Sequence, residues 1–314
     1  MSPPKHVARL VVVVVVVVAG TLAACGSSKR STDGSAGTQL VPKLKVVATT
    51  TQVADFSTVI GGDCVSVYGV LKPNVDPHDY EPSPADLDAL ARAAVITKSG
   101  VGLEKWLDDT VTSSGTKAVV VDTSTGVAVR QGDESDPAGD PHIWQNPMNA
   151  KIMATTIEQA MTQARPDCAA EFSTNLADYS AQLDQLDHDT AAAISTLTNK
   201  KLVTNHDAFG YYVDRYGLDF VGSIIPSFDT SAELSASAIA DLVARIQAQG
   251  VKAIFSETSL PPKTADAIGR EAGVTVVQGD DALYGDTLGP VGSDGATYLT
   301  MVAHNTRTIV ANLH

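Results

Sequence analysis

The chain has 314 residues, of which 44% are hydrophobic, 18% charged and 5% aromatic. It is too long for one small domain and too interrupted by polar residues for a polytopic membrane protein. With 22 Lys and Arg against 36 Asp and Glu, its formal charge of −14 has the wrong sign for a protein that neutralises phosphates, which argues against nucleic acid as a partner. Such acidity is compatible with cations as cargo, although by itself it reports mainly solubility.

Residues 1–24 read as a secretory signal. Lys5 and Arg9 precede an apolar run that holds eight consecutive valines and is too short for a comfortable transmembrane helix. Leu22-Ala23-Ala24-Cys25 then resembles a bacterial lipobox, whose Cys becomes the lipidated first residue after cleavage; an ordinary signal peptide with a stray Cys is the alternative, and would release the protein. Residues 25–43, rich in Ser, Gly and Thr, form a flexible tether able to span roughly 60 Å when stretched. These features place the body on the extracytoplasmic face of the cell membrane, held by lipid. Cys64 and Cys168 remain in this oxidising setting and are either a disulfide pair or two separately buried thiols.

In the body, Val- and Ile-rich runs at 44–50, 66–71, 93–99 and 117–123 have the near-continuous apolar character of buried parallel strands. Helical spacing lies between them at 52–62, 83–93 and 101–114, the last with Leu103, Trp106, Leu107 and Val111 on one stripe. These elements make an N-terminal α/β lobe, 44–165. From 166 to 199 strand character disappears, and Phe172, Leu176, Tyr179, Leu183, Leu186 and Thr190 step by three and four, as in one long helix. The alternation resumes with strands at 201–206, 218–225, 251–257 and 274–279 and helices at 209–216, 235–250, 262–273 and 296–312, a C-terminal α/β lobe over 200–314. Two α/β lobes joined by one long helix imply a cleft, and open parallel sheets bind ligands beyond the C-terminal ends of their strands.

Three of the seven histidines stand at those ends: His78 after the second strand, His142 in the loop that leaves the first sheet, and His206 closing a strand of the second lobe. Asp286 follows the last strand in the same position. Three imidazoles and a carboxylate form a set suited to Zn²⁺, two ligands from each lobe. Asp76, Asp140, Asp207 and Glu257 are candidates to accept the second N–H of a ligating imidazole. Trp144 and Phe209 fit packing of the cleft walls, Asp79 to Glu81 fit a helix cap, and Ser83 and Asp86 fit the first turn that follows.

The motifs VDPHDYEPSPADL, DPHIWQNPMNA, NHDAFGYYVDRYGL, FSETS and LYGDTLG, followed by GATYLTMVAHNTRTIV, carry a resemblance over nearly the whole body. They resemble the substrate-binding lipoproteins of bacterial ABC importers for zinc and manganese, the cluster A-I solute-binding family. The resemblance implies two (β/α) lobes with parallel-rich sheets bridged by a rigid long helix, and one divalent metal in the interlobe cleft. It carries over His78, His142, His206 and Asp286 as ligands, and an ABC permease with its ATPase as partners. Members that prefer manganese typically place Glu where this chain has His206, so imidazole there shifts the expectation to Zn²⁺, with Mn²⁺ less favoured. The chain departs from many zinc members in lacking a His-rich loop: the segment before His142 carries Asp133, Glu134, Asp136 and Asp140 instead.

The expected function is therefore a monomeric, non-enzymatic receptor that captures one divalent cation, zinc in preference, and delivers it to the permease. Manganese or iron as cargo, or a surface adhesin role, are the alternatives. A zinc hydrolase fits poorly, since Asp286 fills the fourth position and no HExxH helix supplies a base, so no catalytic residue is assigned.

Overall fold

A computed structural model describes residues 42–132, 136–232 and 234–314. The signal, Cys25 and the tether up to residue 41 lie outside the described residues, as do Asp133 and Glu134. No helix among the described residues is long and apolar enough to cross a membrane.

The first sheet is built from β1 (Leu44–Ala48), β2 (Val65–Gly69), β3 (Val95–Lys98) and β4 (Val119–Asp122), all parallel in the order β2-β1-β3-β4. The second holds β5 (Lys201–His206), β6 (Asp219–Ile225), β7 (Ala253–Phe255) and β8 (Thr275–Val277), again parallel, in the matching order β6-β5-β7-β8. All eight expected strands are present. Central strands β1 and β5 are buried almost throughout because helices cover both faces of a parallel sheet.

The helices of the first lobe are α1 (Thr51–Gly61), α2 (Pro84–Ala91), α3 (Leu107–Ser114) and α4 (Pro147–Ala164). The expected helix over 101–114 forms only from Leu107. Gly100, Val101 and Gly102 all have positive φ, and the buried Glu104 turns back to accept the Thr49 hydroxyl at 2.6 Å and the backbone N–H groups of Ser99 and Gly100 at 2.6 and 3.2 Å. A tertiary carboxylate thus satisfies donors that a helix would have used. Helix α4, absent from the sequence expectations, starts on an Asn146 cap with Pro147 in its first turn and buries Ala150, Met153, Ala154, Ile157 and Met161.

The long helix is α5 (Ala169–Ser195), and the second lobe adds α6 (Gly210–Tyr216), α7 (Ala236–Gln249), α8 (Lys263–Ala272) and α9 (Tyr298–Leu313). Helix α5 is more than a connector: it packs on α1, α4 and α9, and Phe172, Tyr179 and Leu183 enter the main core. Helix α9 also departs from the simple two-lobe division. It lies against α5 and α1, with the Tyr298 N–H donating to Asp55 of α1 at 3.0 Å and the Tyr298 hydroxyl donating to the Trp144 carbonyl at 2.6 Å. The rings of Phe56, Tyr179 and Tyr298 meet at centroid separations of 4.9 and 6.1 Å.

Cys64 and Cys168 are joined in a disulfide with Cα atoms 6.4 Å apart, pinning the start of α5 to the turn after α1. It closes a loop over a sequence separation of 104. Replacing both cysteines by Ala should cost about 2–5 kcal/mol of stability, read as a lower midpoint in chemical denaturation.

Asp55 supplies a second test. Burial raises its pKa to about 6, against the pull of the Tyr298 N–H that it accepts. A carboxyl whose folded pKa exceeds its unfolded value of 3.8 binds more protons folded than unfolded between those two values. Its contribution therefore erodes stability as pH climbs from about 4 to 6, and the full cost persists above. Asp55→Asn, which keeps an acceptor for Tyr298, should match the wild type at pH 4 and exceed it at pH 7 by up to about 3 kcal/mol. Parallel thermal melts at the two pH values read that difference.

Candidate metal centre

Four loops at the C-terminal ends of the strands converge. His78 lies between β2 and α2, and His142 sits at the start of the turn Ile143–Gln145 that leads into α4. His206 is the last residue of β5, and Asp286 lies between β8 and α9. Each residue offers one ligand atom, and the four atoms lie within 4.8 Å of one another. His78 Nε2 is 3.4 Å from His142 Nε2, which is 3.3 Å from His206 Nε2. The Asp286 oxygens stand 3.5, 3.3 and 3.2 Å from the Nε2 atoms of His78, His142 and His206. Every one of these side chains is almost wholly buried, His78 being the most exposed at 3%.

Two rings are oriented by carboxylates. Asp140 Oδ1 is 2.8 Å from His142 Nδ1 and also accepts the His142 backbone N–H at 3.0 Å, while its Oδ2 accepts from Arg130 at 2.5 Å. Glu257 Oε1 is 3.0 Å from His206 Nδ1 and accepts the His206 backbone N–H at 3.2 Å. Each bond favours a proton on Nδ1 and turns Nε2 toward the centre as the atom available to a cation. Asp76, by contrast, accepts the His78 backbone N–H at 2.9 Å and the Thr230 hydroxyl at 2.6 Å, so it holds the loop and not the ring. Asp207 is found as an electrostatic neighbour: burial and the charge of Asp140 raise its pKa.

Two glycines make this possible. A Cβ on Gly285 would stand 1.8 Å from Glu257 Oε2, and one on Gly210 would stand 1.7 Å from the Arg130 guanidinium that pairs with Asp140. Asp286 itself is anchored by first-lobe groups, of which sequence reasoning singled out only Trp144, and that for packing. Gln52 donates to its carbonyl at 2.9 Å, Trp144 and Gln145 donate to the Gly285 carbonyl at 3.0 and 2.8 Å, and Thr51 accepts the Leu288 N–H at 2.8 Å. Trp144 and Phe209 are fully buried, and the Trp144 ring meets the His142 ring edge-on with centroids 5.5 Å apart. Helix α2 is capped by the reciprocal Ser83–Asp86 pair, which leaves no capping part for Asp79 or Glu81.

The electrostatics favour positive charge. Burial pushes the His142 pKa down, but the hydrogen bonds and charges of Asp140 and Asp286 outweigh it and raise the value to about 9. His206 behaves alike, lowered by burial and lifted well above the usual range by Asp286 and Glu257. Burial pushes Asp286 up, yet the three imidazoles bring it well below the ordinary carboxylate range. Neither Asp286 oxygen takes a satisfactory hydrogen bond from any group among the described residues. A buried carboxylate held in its charged form among three imidazole nitrogens, with no well-formed hydrogen bond of its own, presents a cation with an oxygen and three nitrogens, so the residues fit a divalent metal. Beside His78 a cavity of about 310 Å³, lined also by Lys105, Pro141, Phe228 and Asp229, opens toward solvent.

Two parallel α/β lobes spanned by a long helix, with ligand-type side chains from both lobes at the cleft, define a bilobed substrate-binding protein. Residues 46–312 match the family model described as "Zinc-uptake complex component A periplasmic". The chain belongs to this family of zinc and manganese ABC-importer substrate-binding proteins, which are transport receptors and not enzymes. It is 32% identical over 305 residues to the manganese-binding lipoprotein MntA of Bacillus subtilis, covering 93% of this chain and 95% of that protein. It is likewise 32% identical over 295 residues to the zinc-binding protein TroA of Treponema pallidum, covering 92% of each. The solved structure of the periplasmic zinc-binding protein TroA from Treponema pallidum superposes with a TM-score of 0.79 at 30% identity, over 87% of this chain and 99% of that one.

Proposed function

We propose that the protein is the extracytoplasmic receptor of an ABC importer, tethered by lipid on Cys25, which captures one zinc ion through His78, His142, His206 and Asp286 and delivers it to the permease. The observation that carries this reading is the buried Asp286 carboxylate, facing three imidazole nitrogens with neither oxygen otherwise satisfied. The relatives named above are a manganese binder and a zinc binder, so the choice of metal rests on the donors. A tetrahedron with bonds of about 2.0–2.1 Å to zinc has edges of about 3.3–3.4 Å. Four edges drawn with Asp286 Oδ2 as the oxygen donor, 3.4 and 3.3 Å between imidazoles and 3.5 and 3.2 Å from Oδ2 to His78 and His206, fall around that value. Three nitrogens and one oxygen also suit zinc better than manganese, which favours oxygen-rich octahedral sites.

Release to a permease fits the two-lobed build, because the four ligands come from segments of both lobes and a shift of one lobe against the other changes the coordination. Lipid anchoring fits the lipobox-like LAAC and the word lipoprotein in the names of relatives such as MntA. The test is a competition titration of metal-stripped protein against a chromophoric chelator, with Zn²⁺ and Mn²⁺ in parallel. One zinc per chain, bound at least a hundredfold more tightly than manganese, is expected. Asp286→Ala and His142→Ala should each weaken zinc by orders of magnitude. Tighter manganese binding would overturn the choice of metal, and no binding of either ion would overturn the receptor reading.

A further inference from the structure

The segment Ser227–Thr230, just beyond β6, reaches the surroundings of all three histidines within four residues. The Ser227 carbonyl accepts the N–H of Asp207 at 3.3 Å, the residue after His206. The Phe228 ring meets the His142 ring edge-on, centroids 6.3 Å apart. Asp229 pairs through Oδ2 with Lys105 of the first lobe. Thr230 donates at 2.6 Å to Asp76 Oδ2, whose other oxygen holds the His78 backbone N–H at 2.9 Å. The segment is itself stiffened: Ser227 Oγ accepts the Asp229 N–H, and Asp229 Oδ1 accepts both the N–H and the hydroxyl of Ser231.

The first-lobe side of these contacts is tied down as well. Trp106, next to Lys105, donates to the Pro77 carbonyl at 3.3 Å, and its ring packs on Tyr80. Lys105, Phe228 and Asp229 also line the cavity that leads to His78. That cavity reaches the least buried of the four side chains, so whatever leaves the centre by that side passes these residues.

We infer that Ser227–Thr230 is a retention strap: second-lobe residues that cross the cleft, position the His78 loop through Asp76, and set how slowly the bound cation escapes. Thr230 and the Lys105–Asp229 pair act as positioning residues and touch no cation. The inference rests on the metal-receptor reading and adds the part of the chain that controls release. The Thr230–Asp76 bond has a charged acceptor and is the stronger of the two cross-cleft ties, because Lys105 is 64% exposed and its pair with Asp229 is screened by solvent.

The test is stopped-flow release of zinc from the loaded full-length protein into excess chelator, alongside equilibrium affinity and the d–d spectrum of the Co²⁺-loaded form. Thr230→Val should speed release about tenfold or more. It should leave the cobalt spectrum tetrahedral and the metal-free protein cooperatively folded. Thr230→Ser, which restores the hydroxyl, should release at the wild-type rate. Lys105→Glu should speed release a few fold, and the exchanged pair Lys105→Glu with Asp229→Lys should recover most of it. Wild-type release rates in both Thr230→Val and Lys105→Glu would overturn the strap while leaving the receptor intact. A wild-type protein that takes up no zinc would overturn the receptor reading, and the strap with it.

Discussion

Everything around the cleft follows from one electrostatic constraint: three carboxylates, Asp140, Glu257 and Asp286, are buried within reach of three imidazoles. Arg130 offsets part of that charge through Asp140, while the described ionic contacts of Glu257 and Asp286 are with the imidazoles themselves. The same field that lifts the pKa of His142 and His206 stabilises any cation placed between them. A hydrophobic replacement would fold more easily, so the arrangement makes sense as a binding site and not as a source of stability.

The frame is arranged so that this charge stays where it is. Asp286 belongs by sequence to the second lobe, yet its loop hangs on Gln52, Thr51, Trp144 and Gln145 of the first. Helices α5 and α9 lie across the same core, and the Cys64–Cys168 bond fixes one end of α5. His206 stands on β5 between Leu202 and Ala208 of that same core, whereas the strap meets the first lobe through side chains at the rim of the cleft. The strap's polar links across the cleft, Thr230 to Asp76 and Asp229 to Lys105, can break singly without unpacking the core.

Much of this was legible in the sequence. The eight strands were, because short Val- and Ile-bearing runs alternating with helical spacing mark the strands of a parallel sheet. The four ligand-type side chains were, because they stand at strand ends, where open α/β sheets bind their ligands. Asp140 could be found two residues from His142, but Asp76 stands at the same spacing from His78 and takes a backbone N–H instead. Spacing alone does not say which atom a carboxylate meets. Helix α4 escaped notice because its buried stripe uses Ala and Met, a weak signal, although Asn146-Pro147 marked its start. The broken helix before Leu107 and the strap were out of reach, since Glu104 reaches back to Thr49 and Thr230 meets Asp76 across 154 residues.

The central claim is that a single ion is held by three imidazoles and one carboxylate, and X-ray absorption at the zinc edge of the loaded protein tests it most directly. The account predicts four light-atom ligands at about 2.0–2.1 Å with the multiple scattering of three imidazoles. Six oxygen-dominated ligands, or fewer than three imidazoles, would contradict it.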